Sequence, residues 1–160
     1  WPNEFFRDRR AMRPEVPGTV ARGSLHEDDH LYRGLVAGQP AETLPPGLTF
    51  DRHFLQRGRE RYEIFCSPCH DRAGTGEGIV VKRGMVPPPA FSQPRVRALP
   101  LGRIFAVISN GVRNMPAYGP QLPVADRWAV TAYLRVLQLG RGASLADVPK
   151  DVIQTRGWTP

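Results

Sequence analysis

Cys66-Ser67-Pro68-Cys69-His70 decides how this chain is read. Its two thiols are the only cysteines in 160 residues, and an imidazole follows the second directly. Thiols three positions apart can add across the two vinyl groups on one edge of a protoporphyrin. A histidine placed next is then carried to the iron on one face of the ring. The spacing therefore predicts one covalently attached haem c, tethered by Cys66 and Cys69 and ligated by His70.

Three simpler readings compete. A disulfide between Cys66 and Cys69 is sterically possible but closes too small a loop to restrict the unfolded chain much. Zinc needs a second pair of Cys or His ligands at finger-like spacing, yet His26, His30 and His53 all precede the motif without such pairing. A thioredoxin-like redox pair follows a strand and opens a helix in an α/β domain, and neither the flanks nor the proline density suits that.

A low-spin electron-transfer haem needs a second axial ligand downstream, whereas the zinc and disulfide readings call for nothing there. Asn110-Gly111-Val112-Arg113-Asn114-Met115-Pro116 offers one. The Met115 thioether is a soft, neutral donor that favours Fe(II) and raises the reduction potential. Pro116 stiffens the segment, and Gly111 permits a tight turn out of the apolar run before it. Met12, in an Arg/Pro-rich stretch, and Met85, in a proline-crowded loop, are weaker candidates.

The length and the mass of 17.9 kDa suit one domain with appendages. Seventeen prolines and 16 glycines are too many for a chain that is mostly regular structure, so long irregular segments wrapped on a macrocycle are expected. No stretch approaches the roughly 20 apolar residues that span a bilayer. Haem is attached outside the cytoplasmic membrane, so the expected location is its extracytoplasmic face, with Trp1 a mature or trimmed start after removal of a signal peptide. The net charge of +7 and pI near 10.2 invite a nucleic-acid reading, but the basic residues form no recognisable motif, and no nucleic-acid partner is expected. The charge is uneven: residues 1–50 carry −1 and residues 51–160 carry +8. A basic haem domain suits two propionates and acidic docking partners.

Residues 1–49 contain scattered prolines, apolar Phe5-Phe6 and the run Val16 to Val20, with no sustained period, and read as an extended docking arm. Wrapping of partner subunits is the favoured role, a strap on the haem domain the lesser one; Glu27-Asp28-Asp29 reads as a solvated turn. The haem domain spans residues 50–141. Its first helix starts at a cap on Thr49 or Asp51 and brings Gly58 and Tyr62 onto one face. A second helix, capped by Asp126 and ending before Gly140, repeats Val130, Tyr133, Leu134 and Leu137 at helical spacing. Gly58 suggests close passage of that helix. Between them lie the loop Gly74 to Gly78, a wall at Pro87-Pro88-Pro89 with a carbonyl to accept the Nδ1 proton of His70, and an apolar helix from Leu101 to Ser109. Residues 142–160 read as a short irregular C-terminal tail.

Taken together, the haem motif, the Gly58/Tyr62 face, the Asn110–Pro116 loop and the run Asp126 to Arg135 resemble a class I cytochrome c, which implies a mostly α fold. Asp71 stands where that family often has glycine after the ligand histidine, a departure that bears on the local turn. A narrower resemblance joins Glu4-Phe5-Phe6-Arg7-Asp8, Met12-Arg13-Pro14, Val16 to Gly23 and Arg57 to Tyr62 to the monohaem cytochrome c subunit of alternative complex III. It implies a non-enzymatic electron-transfer subunit of a quinol:electron-acceptor oxidoreductase. Implied partners are a multihaem cytochrome, iron–sulfur and membrane subunits, and an acceptor such as a small redox protein or terminal oxidase. Family members commonly carry a lipid-modified cysteine at the mature N-terminus; no such cysteine is present here, so an anchor is either upstream of Trp1, lost or absent. The alternatives are a free periplasmic shuttle, or an open-site haem enzyme or sensor with Met115 off the iron.

Overall fold

Two helices cross at a glycine, and the remaining elements are arranged around that crossing. The computed structural model describes residues 3–9, 16, 18–20, 22 and 25–158. The expectations for Trp1, Met12, Arg13, Pro14, Pro17, Ala21 and Gly23 lie outside the described residues. In chain order the elements are α1 (Asp29–Arg33), β1 (Leu35–Val36), β2 (Gln39–Pro40), α2 (Arg52–Phe65), α3 (Ser67–His70), α4 (Pro94–Arg97), α5 (Leu101–Asn110), α6 (Val124–Gly142) and α7 (Lys150–Arg156). The fold is mostly helical, as expected for a class I cytochrome c.

Asp51 starts α2: its carboxylate accepts the Phe54 N–H at 2.8 Å and satisfies one of the free donors of the first turn. The residues α2 buries are Gly58 and Tyr62. At Gly58 the two backbones touch, since a Cβ there would be driven into the Ala129 carbonyl and come within 3.1 Å of Tyr133 Cβ. Arg57 reinforces the crossing with a fork of hydrogen bonds to Asp126, Nε to Oδ1 at 2.8 Å and Nη2 to Oδ2 at 2.9 Å. Asp126 therefore does not cap α6 as its sequence position suggested. It lies in the first turn, where its charge also suits the helix dipole, and the cap position is Pro123. The helix also continues through Gly140 to Gly142, because a glycine lowers helix propensity by about 1 kcal/mol without forbidding the helix.

The core behind the crossing joins Tyr62 and Cys66 to Phe91, Ile104, Ile108, Leu122, Val130 and Leu134. Side chains of the Leu, Ile and Val type each contribute roughly 1.5–3 kcal/mol when fully buried. α5 supplies Ile104 and Ile108 on one face and Phe105 on the other, where Phe105 stacks on Trp128 at 4.4 Å.

Two segments are more regular than the sequence suggests. Asp28 accepts the Leu31 N–H at 2.9 Å and caps α1, and β1 pairs with β2 in a two-residue hairpin, so residues 29–40 are not extended. This segment lies on the back of α5 and α6: Trp128 Nε1 donates to the Leu31 carbonyl at 2.8 Å, and Gly102 N–H donates to Ala41 O at 2.8 Å. Gly34 and Gly102 meet with no room for a side chain between them. The contacts are long-range in sequence, and a five-residue helix has too few positions to show a period. At the other end, Ser144 and Asp147 form a capping box, and α7 follows with no buried residue. No helix among the described residues is long and apolar enough to cross a membrane.

Gly58→Val should destabilise the protein by about 3 kcal/mol, the upper part of the overpacking range, because the atoms met are backbone and cannot swing aside. Denaturant unfolding measures this, and an unchanged midpoint would mean that α2 and α6 do not meet there.

Candidate functional site

Helix α2 runs directly into the Cys-Ser-Pro-Cys-His motif. Cys66 ends α2, with its N–H on Tyr62 O at 2.9 Å, and starts α3, with its carbonyl accepting from Cys69 at 3.2 Å and His70 at 2.9 Å. Pro68 fits the first turn of α3, where no N–H is needed. Both thiols and the imidazole thus sit on a single turn. The thiols are free rather than joined in a disulfide. Burial, and secondarily the neighbouring Cys69, pushes the Cys66 thiol up to about 12. Cys69 is half-buried, with Sγ 3.8 Å from Met85 Sδ.

The His70 ring stacks on Phe91 at 4.8 Å. Burial pushes its pKa down to about 4 against an opposing pull from Asp71, so the ring is neutral at physiological pH with a lone pair free to bind metal. Its Nδ1 is buried without a hydrogen-bond partner. The expected bond from Nδ1 to a carbonyl at Pro87–Pro89 is therefore not formed; the Pro88 carbonyl faces Gly76 instead.

Asp71 is where the site departs most from ordinary geometry. Its φ of 57° and ψ of 178° fall in a region that is essentially reserved for glycine and costs on the order of 1–3 kcal/mol elsewhere. Its hydrogen bonds hold it there. The carboxylate accepts from Ala73 N–H at 2.5 Å, Thr75 N–H at 3.0 Å, Glu77 N–H at 3.3 Å and the Thr75 hydroxyl. The Asp71 carbonyl accepts the Tyr62 hydroxyl at 2.6 Å. Burial, first of several causes, raises the Tyr62 pKa well above the usual phenol range, which keeps this buried group a donor.

Met115 lies on a turn that follows α5. Val112 and Met115 exchange backbone hydrogen bonds at 3.0 and 2.9 Å, and Arg113 occupies the tip with φ 51°. Gly111 closes α5 at φ 73°, where a Cβ would meet the Met115 carbonyl at 2.5 Å. The turn is tied down behind by Tyr118 N–H to Ile108 O at 2.9 Å. The Met115 side chain is half-buried and packs on the cluster that contains Cys66 and Phe91. One apolar cluster therefore gathers Cys66 directly, His70 through Phe91, and Met115.

Two free thiols on one turn, a neutral imidazole with a partnerless buried nitrogen, and a thioether on a braced turn suit the haem that the motif calls for. The remaining histidines stand elsewhere: His26 stacks on Tyr32, His30 Nε2 is 2.9 Å from Thr43 O, and His53 is exposed. Among the described residues no group of three or more His, Cys, Asp or Glu is arranged to hold a metal ion. Sequence reasoning missed Phe91 and Tyr118 and noted Asp71 only as a departure. Tyr118 packs on the same cluster, and burial above all raises its phenol pKa. Its place three residues after Met115 was the available signal.

A family model described as cytochrome c oxidase, cbb3-type, subunit III matches residues 54–134. No curated protein matches the chain. Among solved structures, a chain of the Kuenenia stuttgartiensis reducing HAO-like protein complex aligns with a TM-score of 0.51 at 20% identity. The alignment covers 68% of this chain and 53% of that one, so this chain spans about half of its neighbour. At that identity the likeness concerns the fold alone.

Tyr62→Phe should cost about 1–2 kcal/mol by leaving the Asp71 carbonyl without its buried donor. Denaturant unfolding reads this, and an unchanged midpoint would mean that the hydroxyl does not hold the strained turn.

Proposed function

The chain belongs to the family of cbb3-type cytochrome c domains, class I cytochromes c with covalently bound c-type haem, and we propose that it transfers single electrons through one such haem. Cys66 and Cys69 form the thioether tethers, His70 is the proximal ligand and Met115 the distal one. The observation that carries this reading is the packing of Met115, on a braced turn, against the apolar cluster that also holds Cys66 and Phe91. The haem, once bound, supplies a one-electron Fe(III)/Fe(II) couple. The chain's own part is to hold its two axial donors at fixed positions, so that little has to rearrange when the charge changes. Met115 favours the reduced state, and the surrounding Phe91, Ile104, Ile108 and Leu122 keep water away. No substrate is transformed. Lys82, Arg83 and Arg113 are exposed and suit an acidic redox partner such as a small redox protein or a terminal oxidase.

Met115→Ala should lower the reduction potential, abolish the near-infrared sulfur-to-iron band and let carbon monoxide bind the reduced haem. Spectroelectrochemistry and carbon monoxide titration test this. A variant that keeps its potential and excludes carbon monoxide refutes Met115 as ligand.

The assembly follows from the arm. We place the protein at the extracytoplasmic face of the membrane as the monohaem subunit of a quinol oxidoreductase of the alternative complex III kind, beside multihaem, iron–sulfur and membrane subunits. The resemblance of residues 4–23 to that subunit supports this, as do the apolar side chains left in solvent there: Phe5 is 95% exposed, and Val16, Val20 and Leu25 are also exposed. Residues 29–41 have a different role, since they are packed on α5 and α6. Deletion of residues 1–24 should leave the haem spectrum and melting temperature unchanged while the cytochrome is lost from detergent-solubilised membrane complexes. Deletion of residues 1–45 should in addition lower the melting temperature of the isolated protein. Retention in the complex after the shorter deletion would refute the docking role.

A further inference from the structure

We propose that the Asp71 carboxylate is a positioning and potential-setting group for His70, acting on the histidine from one residue away. The proposal rests on His70 as an iron ligand and adds a residue that the motif does not contain. Three observations carry it.

The first is the strained backbone. A residue with a side chain occupies a conformation that glycine adopts freely, and the surroundings hold it there through four hydrogen bonds to the carboxylate and one to the carbonyl. Strain that is held in place this heavily points to a role for the side chain that requires it.

The second is what the carboxylate organises. By drawing in the N–H groups of Ala73, Thr75 and Glu77 it closes the loop of residues 71–77. That loop then reaches His70 by two routes. Gly76 N–H donates to the His70 carbonyl at 3.1 Å, and the Gly74 carbonyl accepts the N–H of Phe91, the residue on which the His70 ring stacks, at 2.9 Å. Both the backbone of the ligand and its stacking partner are therefore fixed by one side chain.

The third is charge. Asp71 makes no ion pair among the described residues, and the four donors to its carboxylate are neutral. The carboxylate belongs to the residue bonded directly to His70 and is held in one place by its four donors. A fixed carboxylate beside the ligand favours the more positive, ferric state and so holds the potential down, against the upward pull of the thioether.

Charge and structure are separated by two substitutions in the haem-loaded protein. Asp71→Asn keeps an acceptor for the loop but removes the charge. Thr75→Val keeps the charge and removes one donor that offsets it. Spectroelectrochemical titration should show the potential rising in Asp71→Asn and falling in Thr75→Val. A role limited to holding the loop would move both in the same direction. That result, or no shift in either, overturns the proposal. Should Asp71→Asn yield no haem-loaded protein, Asp71→Gly, whose backbone is free of strain there, takes its place with the same expected rise. In Asp71→Gly, hydrogen exchange at the amides of Ala73, Thr75 and Glu77 should also accelerate, and unchanged exchange would refute the positioning role. The sulfur-to-iron band of the parent protein reports on Met115 separately: its absence refutes that ligand and leaves the opposite shifts at Asp71 and Thr75 to stand or fall alone.

Discussion

Contact of the Gly58 backbone with the Ala129 carbonyl is the constraint from which the rest of the domain follows. It sets how close α2 and α6 come, and hence where Tyr62 points and where Cys66 emerges. Tyr62 lies one turn past Gly58, and Cys66 one turn past Tyr62, so the same face of α2 that packs on α6 also delivers the first thiol to the core. A larger residue at Gly58 would push the helices apart and displace the motif with them. The Arg57–Asp126 fork adds direction at this junction. It is half-exposed on the arginine side, so its contribution is modest beside the packing.

The site opposes this rigidity with local strain. Asp71, with its positive φ, lies immediately after the histidine, and Arg113, also at positive φ, lies two residues before Met115. Each sits in a turn that presents a donor, and each is held by hydrogen bonds: Asp71 by those to its side chain and carbonyl, Arg113 by the Val112–Met115 pair that encloses it. A relaxed turn would let the imidazole and the thioether drift, and a redox centre is served by donors that stay in place as its charge alternates.

The helices and the motif were legible in the sequence because each rests on local chemistry. The Asp51 cap, the Gly58/Tyr62 spacing and the apolar run from Leu101 all report interactions within a few residues. The strap formed by residues 29–41 was only the lesser of two readings of the arm, because it is held by contacts such as Trp128 to Leu31, 97 positions apart, and no period in a five-residue helix announces them. Asp126 misled for a related reason. An acid near a helix start is ambiguous between a cap and a first-turn charge, and only the approach of Arg57 from the other helix decides. At the site, the proposed tethering and ligand residues were read from spacing alone, whereas the placing of Phe91 and Asp71 required three dimensions. Phe91 is 21 positions from the histidine it supports, and the work of Asp71 depends on a loop that folds back on it.

The chain has few apolar residues to spare, since long stretches are proline-rich loop and the main cluster draws on only a handful of side chains. That cluster contains Cys66, the proposed tether, and borders Met115, the proposed distal ligand. On the proposed function, a haem that fills the site also adds apolar surface to the core, and a small domain gains more from such surface than a large one does. The strap of residues 29–41 lies against α5 and α6 at Gly102 and Trp128, beside the stack of Phe105 on Trp128. Helices α5 and α6 are therefore covered on one side by the chain's own extension, and they give Ile104, Ile108, Val130 and Leu134 to the cluster that contains Cys66. The exposed ends beyond this body, Phe5 and Leu25 before it and Val152 and Trp158 after it, remain available to partners without drawing on the packing that holds the donors.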